Sequence, residues 1–297
     1  MTPREEGFLL LTSNLGDPNR RALTVAQART LAQRVAAAPR IAEDRHLESR
    51  DLTAMGYSLE MAEHIVALLE DGVLLEHYLR RGQRLGCHPI SRVGEEYPQT
   101  IHNRLGLDAP GCLWSRGDLE LLQKPAVALV GSRELGQENL DFAKEVGRQA
   151  ARQGFVLVSG NARGADRAAQ DSCLENGGEV IAVVADELEK YGPREHILYL
   201  SEDGFDLPFS SQRALSRNRL IHCMGLQTFV AQCGYQHGGT WDGTVKNLRF
   251  GWSPVCCFKD GSAASELLQD MGAEGINLAD LHDFVSLQPR YFRLFDQ

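Results

Sequence analysis

The 297-residue chain has no apolar run near the roughly 18–20 residues needed to cross a bilayer. Its start, MTPREEGFLLLTSN, places acids ahead of a short apolar patch, which is not the pattern of a secretion signal. A cytoplasmic protein without a membrane partner is the expectation. The seven cysteines are scattered and odd in number, and Cys87, Cys112, Cys173, Cys223, Cys233, Cys256 and Cys257 form no CxxC pair. Neither a disulfide framework nor a metal site is expected, and the thiols read as small buried hydrophobes. Positive charge is also short: 31 Lys and Arg stand against 40 Asp and Glu, a net −9. Coating of nucleic acid through overall charge is excluded, so any such site must be a local basic patch on an acidic body.

Two common nucleotide signatures are absent as well. GSRELG, residues 131–136, does not supply GxGxxG. Its GxxxxG spacing is followed by Gln137-Glu138, where a triphosphate loop has Lys and Ser or Thr. No nucleotide cofactor is therefore assigned.

What is present is an alternation of buried-strand and amphipathic-helix patterns. Apolar runs at 127–130, 155–159, 179–184, 226–232 and 254–258 read as strands, and segments 140–154, 166–175, 214–224 and 242–250 read as helices. This predicts an α/β fold, a Rossmann-like parallel sheet with helices on both faces, over residues 126–278. Residues 185–212 read as loop, with turns at Ser201-Glu202 and Pro208.

Ahead of it, residues 1–86 read as a small helical N-terminal domain. Thr24 caps a helix through AQARTLAQRVAAA, Ser58 precedes LEMAEHIVALLEDG with Gly72 as its stop, and a third helix begins at Leu74 and ends near Gly82. Prolines 89, 98, 110 and 125 preclude a long helix in 87–125, which reads as a connector packed on the main domain, with a short strand at 111–114. The tail, 279–297, is expected to pack as a helix and an extended end.

Three strand ends carry glycine-rich turns: Gly131-Ser132-Arg133, Ser159-Gly160 with Arg163-Gly164, and Gly238-Gly239-Thr240. In a parallel sheet all three fall on one edge, where glycine admits close approach of a ligand and free N–H groups favour anions. Arg133, Arg163, Arg217 and Arg219 lie in or beside these turns, and guanidinium forks bind phosphate bidentately. Asn218 sits between the last two, and Asp166 is placed to orient Arg163 or cap its helix. Trp241 and Tyr235 are candidates for stacking a base or for packing under a loop.

These motifs resemble the DNA-processing protein A family, also called Smf, over about residues 80–260. The residues that carry the likeness are Glu96-Tyr97-Pro98, Asp108 to Leu113, Gly117 to Leu122, the GSR turn, Ser159 to Asp166 (SGNARGAD), Leu215 to Leu226, and loosely Gly239 to Thr244. The resemblance implies a Rossmann-like domain that binds single-stranded DNA and hands it to a RecA-type recombinase in natural transformation, without catalysis of its own. It also implies a homodimer and places DNA contacts on Arg133, Arg163, Arg217 and Arg219. The sequence departs from the family pattern at Asn161, at Gln170, at the acidic stretch Ala185-Asp186-Glu187 and at Gln232-Cys233. The winged helix that many members carry at the C-terminus is not expected in these residues.

Two other readings use the same sheet edge. A nucleoside-monophosphate phosphoribohydrolase of the same superfamily needs a catalytic glutamate after a GT pair. Aligning Gly243-Thr244 with that pair puts Asn247 at the acid position. A nucleotide-binding sensor would instead relay its signal through the N-terminal helices.

Overall fold

The computed structural model describes residues 1–17, 19–38, 46–202 and 204–287. Caps written in the sequence start the first helices. In α1 (Pro3–Thr12) the Thr2 side chain accepts from Glu5 N–H, Glu5 answers with a bond to the Thr2 backbone, and proline occupies the first turn. Helix α2 (Val25–Ala37) has the same reciprocal box between Thr24 and Gln27, and Ser58 caps α4 (Leu59–Glu70). Between them lies the short α3 (Ser49–Ala54). Gly72, expected to end a helix, instead begins α5 (Gly72–Arg84) directly after Asp71.

The N-terminal helices divide between two cores. Leu31, Leu52, Ala62, Ile65 and Leu68 gather α2, α3 and α4 around a small cluster of their own. By contrast, α1 and α5 bury Leu9, Leu10, Leu75 and Tyr78 in the main core. The Tyr78 ring lies 5.2 Å from Trp114 and 4.7 Å from Phe205, and its hydroxyl donates to Asp206 at 2.7 Å. That hydroxyl is well shielded, and burial raises its pKa.

Residues 87–125 contribute β1 (His88–Ser91), α6 (Gln99–Leu105), a 3₁₀ turn at 106–108 and β2 (Cys112–Arg116). Next come β3 (Ala126–Val130), α7 (Gln137–Arg152), β4 (Val156–Ser159), α8 (Ala165–Glu175), β5 (Val180–Val184) and β6 (Ile197–Glu202). The chain then forms α9 (Ser211–Met224), β7 (Thr228–Val230), α10 (Gly239–Phe250), β8 (Val255–Phe258), α11 (Ala263–Asp270) and β9 (Glu274–Ile276).

One nine-stranded sheet runs in the order β1-β2-β6-β5-β4-β3-β7-β8-β9. Strands β3 to β9 are mutually parallel, and β2 and β1 extend the sheet antiparallel beside β6. The period of two along each strand separates two cores. Val127 and Leu129 face α7 and α8, whereas Ala126, Ala128 and Val130 face α9, α10 and α11. This is the Rossmann-like α/β arrangement expected from the sequence. All seven cysteines are buried and free. No helix among the described residues is long and apolar enough to cross a membrane.

Two elements depart from the expectation. The stretch 185–212 holds β6, whose six residues are all buried, so Ser201 and Glu202 end a strand and do not form a turn. Their polarity misled the reading, and α9 supplies the reason it is tolerated. Arg213 donates to Ser201 Oγ at 2.8 Å, and Arg219 pairs with Glu202. After β8, α11 and β9 add a further parallel strand at the edge. The tail begins as a 3₁₀ turn, 278–282, and Phe284 packs 4.7 Å from Phe229. The expected extended end lies outside the described residues.

Candidate nucleic-acid interface

From β3 the chain moves outward to β4, β5 and β6 on one side, and β7, β8 and β9 fill the other. The order therefore reverses between β3 and β7, and a crevice opens at the carboxyl ends of strands at such a point. A cleft of 520 Å³ lies there. Its walls are the turn after β3, the turn after β4, the loop entering α10, and one face of α9.

The three glycine turns are tied to one another. Ser132 N–H and Oγ both donate to the Gln232 carbonyl, at 2.9 and 3.2 Å, and Ala165 N–H donates to the Ser132 carbonyl at 3.2 Å. Thr240 Oγ1 donates to the Gly131 carbonyl at 3.0 Å. The Gln232 side chain accepts from Gly136 N–H at 3.0 Å. The first turn is thus braced from inside, and Gln232, a departure from the family pattern, is one of its braces. Gly164, at φ +85°, precedes α8, and a Cβ there would meet the Ser132 and Arg133 carbonyl oxygens at 2.5 Å. Only glycine fits that crossing. At α10, Gly238 offers no side-chain cap, so the first N–H groups of a twelve-residue helix open toward the cleft.

Arg217 is the central group. It is 8% exposed, and its guanidinium lies so close over Gly160 that any Cβ there would overlap it. Its Nε and Nη1 are buried without hydrogen-bond partners. Burial lowers its pKa, while Asp166 and Tyr191 pull it back up. Asp166 is equally buried. Its carboxylate accepts from Ala162 N–H at 3.2 Å, burial raises its pKa, and Arg217 opposes that rise. Of the two roles the sequence suggested for Asp166, its bond to the backbone ahead of α8 fits the cap, and the arginine it faces electrostatically is Arg217.

Arg133 and Arg163 are exposed on the rim, with Arg163 3.6 Å from Glu134 in a pair open to solvent. Asn218 Nδ2 donates to the Gly239 carbonyl at 3.1 Å and joins α9 to α10. Gly131, Ser132, Gly238, Gly239 and Thr240 all line the cleft as expected.

Five candidates do not reach it as ligand groups: Arg219, Ser159, Gly160, Trp241 and Gly164, the last being the crossing point before α8. Arg219 turns away: it forms a largely buried pair with Glu202 and donates to the Asp108 carbonyl at 3.4 Å. Residues two positions apart on a helix are about 200° apart, so Arg217 and Arg219 cannot share a face. Ser159 is wholly buried and accepts from Gln170 Nε2 at 2.5 Å, and Gly160 serves as the bed for Arg217. Trp241 is core, at 8% exposed, whereas Tyr235 stands 52% exposed near the α10 entrance. The acidic pair at 186–187 is bridged by Lys190, 2.8 Å from Asp186 and 2.5 Å from Glu187, which offsets one of its two charges.

Sequence reasoning missed the rest of the α9 face. Ser211, Ala214, Leu215 and His222 join Asn218 in the lining at helical spacing, a periodicity present in the sequence. His222 is fully buried, its Nδ1 3.1 Å from Asn247 Nδ2 and 3.3 Å from Thr228 Oγ1, and burial lowers its pKa to about 3. Asn247 is also fully buried and accepts from Ser253 N–H at 2.8 Å.

Residues 88–247 match the family model of DNA recombination-mediator protein A, more than half of the chain. The chain belongs to this family. Among its relatives, DNA processing protein DprA of Streptococcus pneumoniae is 40% identical over 87 residues, 29% of this chain and 30% of that protein. Protein Smf of Escherichia coli is 26% identical over 209 residues, 67% of this chain and 55% of that one. The chain thus spans about half or less of these curated relatives. The X-ray structure of the S. pneumoniae DNA processing protein A superposes with a TM-score of 0.71 at 22% identity, covering 97% of this chain and 99% of that one. DNA processing protein A from Helicobacter pylori, whose structure concerns its single-stranded DNA binding mode, gives 0.57 at 22% identity, covering 67% and 95%. At this identity the likeness concerns the fold.

Proposed function

We propose that the chain binds single-stranded DNA in the switch-point cleft and passes it to a RecA-type recombinase, without cutting it, as a cytoplasmic homodimer. The observation that carries this reading is Arg217, a buried guanidinium with two unpartnered nitrogens, on a residue that lines a cleft whose rim holds Arg133 and Arg163. A buried cation with unmade hydrogen bonds costs several kcal/mol unless an anion completes it, and phosphate does so bidentately. Exposed Leu215 on the cleft wall and Tyr235 near the α10 entrance give bases an apolar, sequence-tolerant surface. Family membership supports the recombination role. The hydrolase reading draws no support from Asn247, which holds Ser253 and His222 beneath the cleft floor.

The test is a titration of fluorescent oligonucleotide at rising salt. With Arg133, Arg163 and Arg217 each meeting a phosphate, the slope of log K against log salt is about −2, taking ~0.7 per contact for a single strand. Arg133→Ala weakens binding about fivefold and lowers that slope by roughly one contact, with no loss of fold stability. Absent oligonucleotide binding at low salt, together with a mononucleotide that raises the melting temperature, would favour the sensor. Release of free base would favour the hydrolase.

A further inference from the structure

A second, larger hollow of 770 Å³ lies apart from the glycine turns, at the seam where α1 and α2 meet the 3₁₀ turn 106–108. Its floor is apolar, formed by Phe8, Leu11, Leu31 and Leu69. Arg4, Arg29 and Arg92 line it with His102, and among the described residues no Asp or Glu does. Arg92 is fixed by donating to the Ala109 and Gly106 carbonyls at 3.0 and 2.8 Å. Its pKa is lowered by burial first, an effect that Tyr97 opposes and Arg29 adds to. Among the described residues none of these three arginines forms an ion pair. On a chain of net −9, a hollow lined by three guanidinium groups and, among the described residues, by no carboxylate locally reverses the overall charge.

The mouth is open and apolar: Val35 is 39% exposed and Leu107 43%. An enclosed pocket would suit a small amphiphile, whereas an open apolar trough edged by cations suits a helix with an apolar stripe and acidic flanks. We propose that this groove is a docking site for an acidic amphipathic segment of a partner protein. Leucine or phenylalanine anchors would sit on Phe8, Leu31 and Leu69, with carboxylates toward Arg4 and Arg29. The site shares no lining residue with the arginine cleft, so a partner and a DNA strand can be held together.

The probe is a fluorescein-labelled peptide with Leu and Phe at i, i+3, i+4 and i+7 and Glu or Asp elsewhere, titrated into the full chain. The same peptide with Lys for every acid and sodium laurate serve as alternatives. The acidic peptide binds, excess oligonucleotide does not displace it, and the Lys peptide does not bind. Arg4→Glu with Arg29→Glu weakens the acidic peptide at least tenfold and admits the Lys peptide. Leu107→Glu weakens the acidic peptide about fivefold. Both arginines are exposed, so the melting temperature of the double variant stays at the parent value. Acidic-peptide affinity that survives the charge reversal overturns the proposal, as does a melting shift by laurate without any peptide binding.

Discussion

Arg217 and Arg219 stand two residues apart on α9 and meet opposite surroundings. Arg219 is enclosed by acceptors: the Glu202 carboxylate, the Ser216 carbonyl and the Asp108 carbonyl all receive its N–H groups. Arg217 is buried more deeply yet leaves Nε and Nη1 unmatched, with the attraction of Asp166 and Tyr191 set against the desolvation. A cation completed by its own chain is structural. On the proposed reading, a cation left incomplete beside an open cleft is the one completed by a phosphate. The motif carrying both arginines does not distinguish them, but the 100° step of the helix does.

The two sides of α9 also fail differently. The cleft side depends on backbone crossings, so Gly164→Ala forces a side chain onto φ +85° against two carbonyl oxygens. About 3 kcal/mol of stability is lost, read by urea denaturation. The opposite side depends on an ion pair. Arg219→Met leaves Glu202, 9% exposed, without its counter-ion and costs about 2 kcal/mol, while oligonucleotide affinity stays within twofold.

Beneath both sides, His222 makes the fold sensitive to acid. Its folded pKa of about 3 lies below the ordinary 6.5, so between those values the unfolded chain binds a proton that the folded chain refuses. Its contribution to stability is therefore complete above pH 6.5 and is lost as pH falls toward 3. From pH 7 to pH 5 the loss is about 2 kcal/mol, and His222→Gln removes that slope in urea melts at the two pH values.

Much of this architecture is legible in the sequence because parallel strands buried on both faces need continuous apolar runs. AVALV and VIAVV are such runs, and each ends where the structure ends it. β6 escaped because Ser201 and Glu202 look like turn residues until Arg213 and Arg219 are seen to satisfy them. The turns at 131–133, 163–164 and 238–240 were readable, since glycine spacing is local. Which arginine faces the cleft was not, because it depends on the rotation of α9 over the sheet. The brace from Gln232 and the bed of Gly160 under Arg217 arise from segments 57 or more residues apart and leave no local pattern.

The central claim is that the incomplete arginine, and not its neighbour, holds the strand. The direct measurement is the anisotropy of one fluorescent oligonucleotide with the parent chain, Arg217→Met and Arg219→Met at a single low salt concentration. Loss of charge-assisted hydrogen bonds predicts roughly 30-fold weaker binding for Arg217→Met and a change within twofold for Arg219→Met. Equal weakening by the two variants, or unchanged affinity in Arg217→Met with the fold intact, would contradict it.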